Sequence, residues 1–268
     1  MPACSVKFNP IMTWLMTLSI IFFASIAKAQ HSDIWLILDG SQVAVDAINT
    51  ETNTPATVDQ TTGRFLFSSD FADLGQGPQG TDDPGFQTVA NTFTPNGILN
   101  FRAIESLLFW NGDAWVSSVV DQERILVIDA LNETTVIDTA GVTTAEGAID
   151  QIDSSGTIHQ HIEFFIDNNT SANLPAAGAY MINIEFFATE TLGGDVMHTA
   201  SKPVRITFAY QISTEEYQQA LSTLTSPIMT PEEVSVPIPN GALLVLAGLF
   251  FVFARRKPTT RKIFHSSY

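Results

Sequence analysis

The chain has 268 residues, and 12 Lys and Arg against 28 Asp and Glu give it a formal net charge of −16. This length allows one large domain or two small ones, and the 45% apolar residues argue against a wholly disordered chain. The single cysteine, Cys4, lies near the N-terminus, which excludes an internal disulfide and, once that end is removed, thiol catalysis.

Residues 1–29 have the pattern of a secretory signal peptide. They contain no acid, carry a lysine near the start and include a 16-residue apolar run. Ala27 and Ala29 give the small-x-small pattern of a cleavage site, which predicts a mature chain beginning at Gln30. The alternative is an uncleaved N-terminal anchor, for which the apolar run is short, since a span needs about 20 residues.

The body that follows, residues 30–235, is strongly acidic. It contains five bases and all 28 acids, a formal charge of −23. A surface of this sign repels phosphate backbones, so we expect no nucleic-acid partner. It favours solubility outside the cell and attracts divalent cations.

Strand patterns dominate the first half of this body. Alternating or continuous apolar stretches predict strands at 34–38 and 42–45, 107–110 and 113–116, and 124–130 and 134–138. Asp39-Gly40 predicts a tight turn in the first pair, because glycine accepts the positive φ that such a turn needs. Residues 47–63 and 68–96, rich in Thr, Gly, Asp, Asn and Pro, are expected to be long loops.

Four acids in the second of these loops, Asp70, Asp73, Asp82 and Asp83, are candidate oxygen ligands for Ca²⁺. Their spacing matches no recognised calcium loop. Ordinary solvated turn residues are the alternative interpretation.

The segment from Thr157 to Asp167 predicts a strand that carries most of the candidate chemistry. Because side chains alternate along a strand, His159, His161 and Glu163 are expected on one face and apolar residues on the other. Two histidines at i and i+2 stand about 7 Å apart at their Cα atoms, a spacing from which both rings can reach one Zn²⁺ or Cu²⁺.

Further ligands for such a metal are sought among Glu163, His198 and His31. Only five histidines occur in the chain, and two of the four in the body lie together here. The alternative is that His159 and His161 belong to the solvated face of an outer strand.

The later part of the body is expected to complete an all-β fold. Period-two alternation predicts half-buried strands over 180–188 and 204–212. One helix is predicted after Ser213, which with Glu216 forms a capping-box pattern. The sequence thus predicts an antiparallel β-sandwich or jelly roll over residues 30–224 with one short C-terminal helix, and a linker over 225–235.

The C-terminal end has a three-part pattern. Pro237 and Pro239 precede a 14-residue apolar run, which ends at Arg255, Arg256 and Lys257. An apolar helix followed by basic residues favours a transmembrane tail whose end, residues 258–268, stays in the cytoplasm.

In this order of parts, residues 236–257 resemble the PEP-CTERM class of bacterial sorting signals. The resemblance implies a Gram-negative source, export through the secretion translocase, tethering at the inner membrane and processing by an exosortase-like protease. It also implies an association with exopolysaccharide and surface assembly. Ile238 stands where the motif has glutamate, and eleven residues follow the basic cluster. A plain C-terminal membrane anchor is the alternative.

Two functions are compatible with these patterns. The first is an exported envelope or extracellular-matrix protein with a non-enzymatic structural or interaction role. The second is a periplasmic or surface protein that binds Zn²⁺ or Cu²⁺ through His159 and His161. No sequence motif assigns a catalytic residue.

Overall fold

A computed structural model describes residues 33–49, 54–71, 77–117, 122–170 and 174–226. Within these ranges the chain forms nineteen strands and one helix. The strands are β1 Ile34–Asp39, β2 Gln42–Val45, β3 Ile48–Asn49, β4 Thr54–Pro55, β5 Leu66–Asp70, β6 Gly80–Thr81, β7 Phe86–Gln87, β8 Ile98–Ala103, β9 Leu108–Trp110, β10 Trp115–Val116, β11 Glu123–Ile128, β12 Thr134–Asp138, β13 Gly141–Thr143, β14 Glu146–Gln151, β15 His159–Gln160, β16 Glu163–Asn168, β17 Gly178–Thr189, β18 Val196–His198 and β19 Val204–Tyr210. The helix is α1 Thr214–Thr225. The all-β class with one short helix is therefore confirmed.

The strands form three larger sheets and the small pair β3–β4. The four-stranded sheet has the order β15-β7-β1-β2, and the five-stranded sheet has the order β13-β12-β11-β16-β6. The eight-stranded sheet is centred on β17, which pairs with β19, β8, β9 and β18. Most pairs are antiparallel, but β1 pairs with β7 and β19 pairs with β5 in parallel. The expectation of a purely antiparallel fold is wrong at these two places.

One large apolar core contains residues from all three larger sheets. The ring of Phe86 on β7 lies 5.5 Å from that of Phe186 on β17, which joins the four- and eight-stranded sheets. The ring of Phe164 on β16 lies 5.2 Å from that of Phe208 on β19, which joins the five- and eight-stranded sheets. Each buried phenylalanine removes a large apolar surface from water, so these contacts hold the sheets together without a disulfide.

The central strands β17 and β19 are buried on both faces, although the sequence predicted half-buried strands. Their second face is covered in part by α1, whose Leu224 packs in one cluster with Met181 of β17. The sequence alternates because this second face carries smaller or polar residues such as Thr207. The Thr207 side chain is fully buried and forms hydrogen bonds with the backbone carbonyl of Phe67 and the hydroxyl of Tyr217.

The three predicted pairs of strands are all present as antiparallel pairs, namely β1–β2, β9–β10 and β11–β12. Gly40 has a φ of 62° in the first turn, as the Asp-Gly pattern predicts. The predicted long loops contain short strands instead. β3 and β4 pair with each other, whereas β5, β6 and β7 pair with partners distant in sequence. Isolated two-residue strands carry no local alternation from which they could be predicted.

The strand predicted over 157–167 is interrupted. β15 ends at Gln160 in the four-stranded sheet, and β16 begins at Glu163 in the five-stranded sheet, so His161 and Ile162 connect two sheets. The apolar face is confirmed, since Ile158, Ile162 and Phe164 are all buried.

Among the described residues, no helix is long and apolar enough to cross a membrane. The predicted signal peptide, linker beyond residue 226 and C-terminal tail all lie outside those residues.

Candidate metal site

Asp33, His159 and His161 come together in the four-stranded sheet, near the start of β1 and the end of β15. Each offers one ligand atom to a group in which all such atoms lie within 4.8 Å of one another. Nε2 of His159 lies 3.7 Å from Oδ2 of Asp33, and the two imidazole rings lie 5.7 Å apart. The pairing of His159 with His161 expected from their spacing is thus present, with a carboxylate between them.

Strand register explains why these three residues meet. β7 lies between β1 and β15, and its Phe86 pairs with Ile34 on one side and Gln160 on the other. Asp33 and His161 each lie one residue beyond these pairs, while His159 pairs with Gln87. Because side chains two residues apart share a face, the three ligands project from the same face of the sheet.

Burial differs sharply across the group. Asp33 is only 7% exposed, whereas the side chain of His159 is 66% exposed and that of His161 is 32% exposed. The carboxylate accepts hydrogen bonds from the Gly85 N–H at 3.2 Å and from the Gln87 side-chain amide. These donors fix the buried carboxylate in place, and the exposed imidazole leaves the group open to solvent.

The tautomer of His161 follows from its hydrogen bond. Nδ1 of His161 lies 2.9 Å from the backbone carbonyl oxygen of Asp82, and a carbonyl oxygen can only accept. Nδ1 therefore carries the hydrogen, and in the neutral ring Nε2 keeps its lone pair for a metal. The carboxylate of Asp83 adds negative charge next to the donor, with Oδ1 3.5 Å from Nδ1.

A second group of carboxylates surrounds the same histidine. Asp82, Asp83 and His161 also offer ligand atoms within 4.8 Å of one another. Oδ1 of Asp82 is buried without a hydrogen-bond partner. The sequence groups Asp82 and Asp83 with Asp70 and Asp73 as candidate Ca²⁺ ligands, whereas in the structure Asp82 and Asp83 lie beside an imidazole. Asp73 lies outside the described residues, and Asp70 belongs to neither group.

Two of the predicted additional ligands are not part of the site. Neither group of metal-ligating side chains in the described ranges includes Glu163 or His198. Glu163 begins β16 after the chain has passed into the five-stranded sheet, so it does not continue the face of His159. His31 lies outside the described residues, two positions before Asp33.

His198 on β18 instead packs against Phe93, a residue of the apolar core. Its ring lies 5.7 Å from that of Phe93, and both ring nitrogens are buried without hydrogen-bond partners. Burial lowers the pKa of His198 from its ordinary value, because the charged ring loses its hydration.

The donors of the first group favour a transition metal. Two imidazole nitrogens and a carboxylate oxygen suit Zn²⁺ or Cu²⁺, whereas Ca²⁺ and Mg²⁺ prefer oxygen ligands alone. In a tetrahedral zinc site, bonds of about 2.0–2.1 Å place ligand atoms about 3.3 Å apart. The 3.7 Å separation of Nε2 of His159 and Oδ2 of Asp33 is close to this value.

Sequence reasoning missed Asp33, although it found both histidines. The only signal was its position two residues from His31, which was itself a candidate ligand. The residues predicted for cleavage and sorting, Ala27, Ala29, Pro237, Pro239, Arg255, Arg256 and Lys257, all lie outside the described residues.

In comparisons with known proteins, no family model, no curated protein and no solved structure matches this chain.

Proposed function

We propose that the domain binds one divalent transition metal ion, Zn²⁺ or Cu²⁺, through Asp33, His159 and His161. The observation that carries this proposal is the convergence of two imidazoles and a buried carboxylate within 4.8 Å. The carboxylate is oriented by Gly85 and Gln87, and His161 by the Asp82 carbonyl. Such outer hydrogen bonds are characteristic of metal ligands.

We also propose that the protein is exported and works in the cell envelope, at the surface or in the extracellular matrix. The signal-peptide pattern of residues 1–29, the PEP-CTERM-like tail over 236–257 and the acidic body support this proposal. Its partners during export would be the secretion translocase and an exosortase-like protease, and exopolysaccharide is a candidate partner at the surface. The role proposed for the domain is structural or interactive rather than enzymatic.

For the arrangement of the body, we infer a β-sandwich. The eight-stranded sheet would form one layer, and the four- and five-stranded sheets would share the other. The ring contacts of Phe186 and Phe208 with opposite sheets support this arrangement.

Calorimetric titration with zinc tests the metal proposal on the full chain, purified in detergent and stripped with a chelator. We expect one zinc ion per chain, with an affinity that falls as the buffer is acidified, because protons compete for the imidazole nitrogens. The His159→Ala, His161→Ala double variant should lose this binding. A matched control, His198→Ala, removes a histidine outside the group and should keep it.

Salt distinguishes specific zinc binding from diffuse attraction of zinc to the acidic body. A body with a formal charge of −23 collects divalent cations loosely, and moderate salt screens that attraction. Specific binding should persist in 0.3 M salt, roughly the ionic strength at which screening acts within a few ångströms. Identical isotherms for the native protein and the double variant in that buffer would contradict the proposal.

A further inference from the structure

Gly85 occupies the position between two of the proposed ligands. Phe86 pairs with Ile34 on one neighbouring strand and with Gln160 on the other. One residue further along, the same register aligns Gly85 with Asp33 on one side and with His161 on the other. Adjacent strands lie about 4.8 Å apart, so the side chains of Asp33 and His161 must reach towards each other across Gly85. Any side chain at this position would stand between them.

The space above Gly85 is already taken by the two ligands. A Cβ atom at Gly85 would lie 2.6 Å from both Cε1 and Nε2 of His161, and 2.9 Å from Oδ1 of Asp33. Contacts this short force a neighbour to move. Gly85 is not among the residues with positive φ, so its backbone conformation does not require glycine. The close approach of the ligands does.

The segment that contains Gly85 also holds both ligands from behind. The Gly85 N–H donates to Oδ1 of Asp33, and the Asp82 carbonyl accepts from Nδ1 of His161. Asp82 follows β6 of the five-stranded sheet directly, and Gly85 precedes β7 of the four-stranded sheet. The segment thus passes between sheets beside His161 and Ile162, which make the same passage.

We propose that Asp82–Gly85 is the positioning segment of the metal site. The Asp82 carbonyl selects the tautomer of His161 that presents Nε2, and Gly85 keeps the space in which Nε2 and Asp33 meet one ion. Because Nδ1 of His161 donates its hydrogen to this carbonyl, it is not available to an ion between the Asp82 and Asp83 carboxylates, and the site holds one ion rather than two. This inference rests on the proposed metal binding, and it names the residues that make it specific.

The test compares Gly85→Ala and Asp82→Asn with the native protein by zinc calorimetry on the full chain. The methyl group of Gly85→Ala displaces the end of the His161 side chain, so we expect zinc affinity to fall about 10- to 100-fold, the range found for lost outer-shell support. Circular dichroism checks that this variant remains folded. Asp82→Asn retains the backbone carbonyl and should still bind one ion with an affinity within about threefold of native.

A second readout does not depend on the variants folding. Long-range proton–nitrogen NMR of the metal-free native protein at pH 8 should show His161 with hydrogen on Nδ1, the tautomer that the Asp82 carbonyl selects. Hydrogen on Nε2 overturns the proposal. So does native affinity in Gly85→Ala, or the loss of a second zinc ion in Asp82→Asn. If the native protein binds no zinc while the tautomer is as expected, the metal function fails and the positioning contacts stand.

Discussion

At the scale of single residues, we expect a buried ion pair to matter more for the stability of the fold than an exposed one. Arg205 on β19 pairs with Asp59, whose side chain is fully buried, and only 11% of the Arg205 side chain is exposed. Asp59 also accepts hydrogen bonds from the backbone N–H of Thr61 and the hydroxyl of Thr62. Burial lowers the pKa of Arg205, because its charge has lost much of its hydration. Asp59 is therefore the counterion on which the buried guanidinium depends.

Replacing Asp59 with alanine should destabilise the fold by about 3–5 kcal/mol, because it leaves a buried charge without its partner. Urea unfolding measures the change. The matched control is Glu146→Ala, which removes one exposed partner of Arg102, where 54% of the Glu146 side chain faces solvent. That variant should change stability by less than about 1 kcal/mol. Equal losses in the two variants would show that the buried pair has no special role.

His198 predicts how stability depends on pH. Its pKa in the folded protein is lowered from 6.5 by burial, so below that pH the unfolded chain binds a proton more readily than the folded chain. The contribution of His198 to the free energy of unfolding is therefore complete above pH 6.5, and it is lost as the pH falls towards the lowered pKa. Thermal unfolding with chelator at pH 7.5 and 5.5 should show a smaller drop in Tm for His198→Phe than for the native protein. An unchanged drop would assign the acid sensitivity to other groups.

At the scale of elements, α1 shows local signals and tertiary packing in agreement. Ser213 accepts from the Glu216 N–H at 3.2 Å, and the Glu216 carboxylate accepts from the Ser213 N–H at the same distance. This capping box satisfies two donors that a helix end otherwise leaves unpaired. On the packed face of the helix, Ala220 and Leu224 are buried against the eight-stranded sheet. The start of the helix is therefore as the Ser213 and Glu216 pattern predicts.

Ser213→Ala should cost about 1 kcal/mol of stability, because the Glu216 N–H loses its acceptor. The control within the same helix is Ser222→Ala, at an exposed position where alanine has the higher helix propensity. That change should be neutral or slightly stabilising. Denaturant midpoints of the two variants measure the difference, and a Ser213→Ala midpoint equal to that of Ser222→Ala would contradict the capping role.

At the scale of the whole molecule, charge is segregated along the chain. The body carries five bases and all 28 acids, whereas Arg255, Arg256 and Lys257 form a basic cluster near the C-terminus. An apolar run followed by such a cluster resists translocation of the chain end. The proposed export and tail processing depend on this arrangement.

Replacing Arg255, Arg256 and Lys257 with alanine should reduce retention and processing of the tail. Intact-mass spectrometry of the surface or released form is the measurement, and the native form should begin at Gln30 and lack the residues after the cleavage point in the tail. A control that replaces Arg261 and Lys262, beyond the cluster, should process normally. An intact Tyr268 in the native surface form would favour a plain membrane anchor over a sorting signal.

The sequence by itself determined the β class, the three pairs of strands, the helix and the shared face of His159 and His161. The apolar pattern of a strand repeats every two residues and that of a helix every three to four residues. Both periods arise from the local geometry of the backbone, so they can be found in the sequence. The sequence did not predict the break after Gln160, because Ile158, Ile162, Phe164 and Ile166 keep the same period on both sides of the change of sheet and Gln160 is the one polar residue among these positions.

Only the tertiary structure decided that Asp33 and Gly85 join the histidines. Asp33 precedes His161 by 128 positions, and the two meet because β7 pairs with β1 on one side and with β15 on the other. A two-residue strand such as β7 has no periodicity of its own, so its register is set by the packing of Phe86 against Phe186 in the core. The ligand types are local properties of the chain, whereas their convergence depends on long-range pairing.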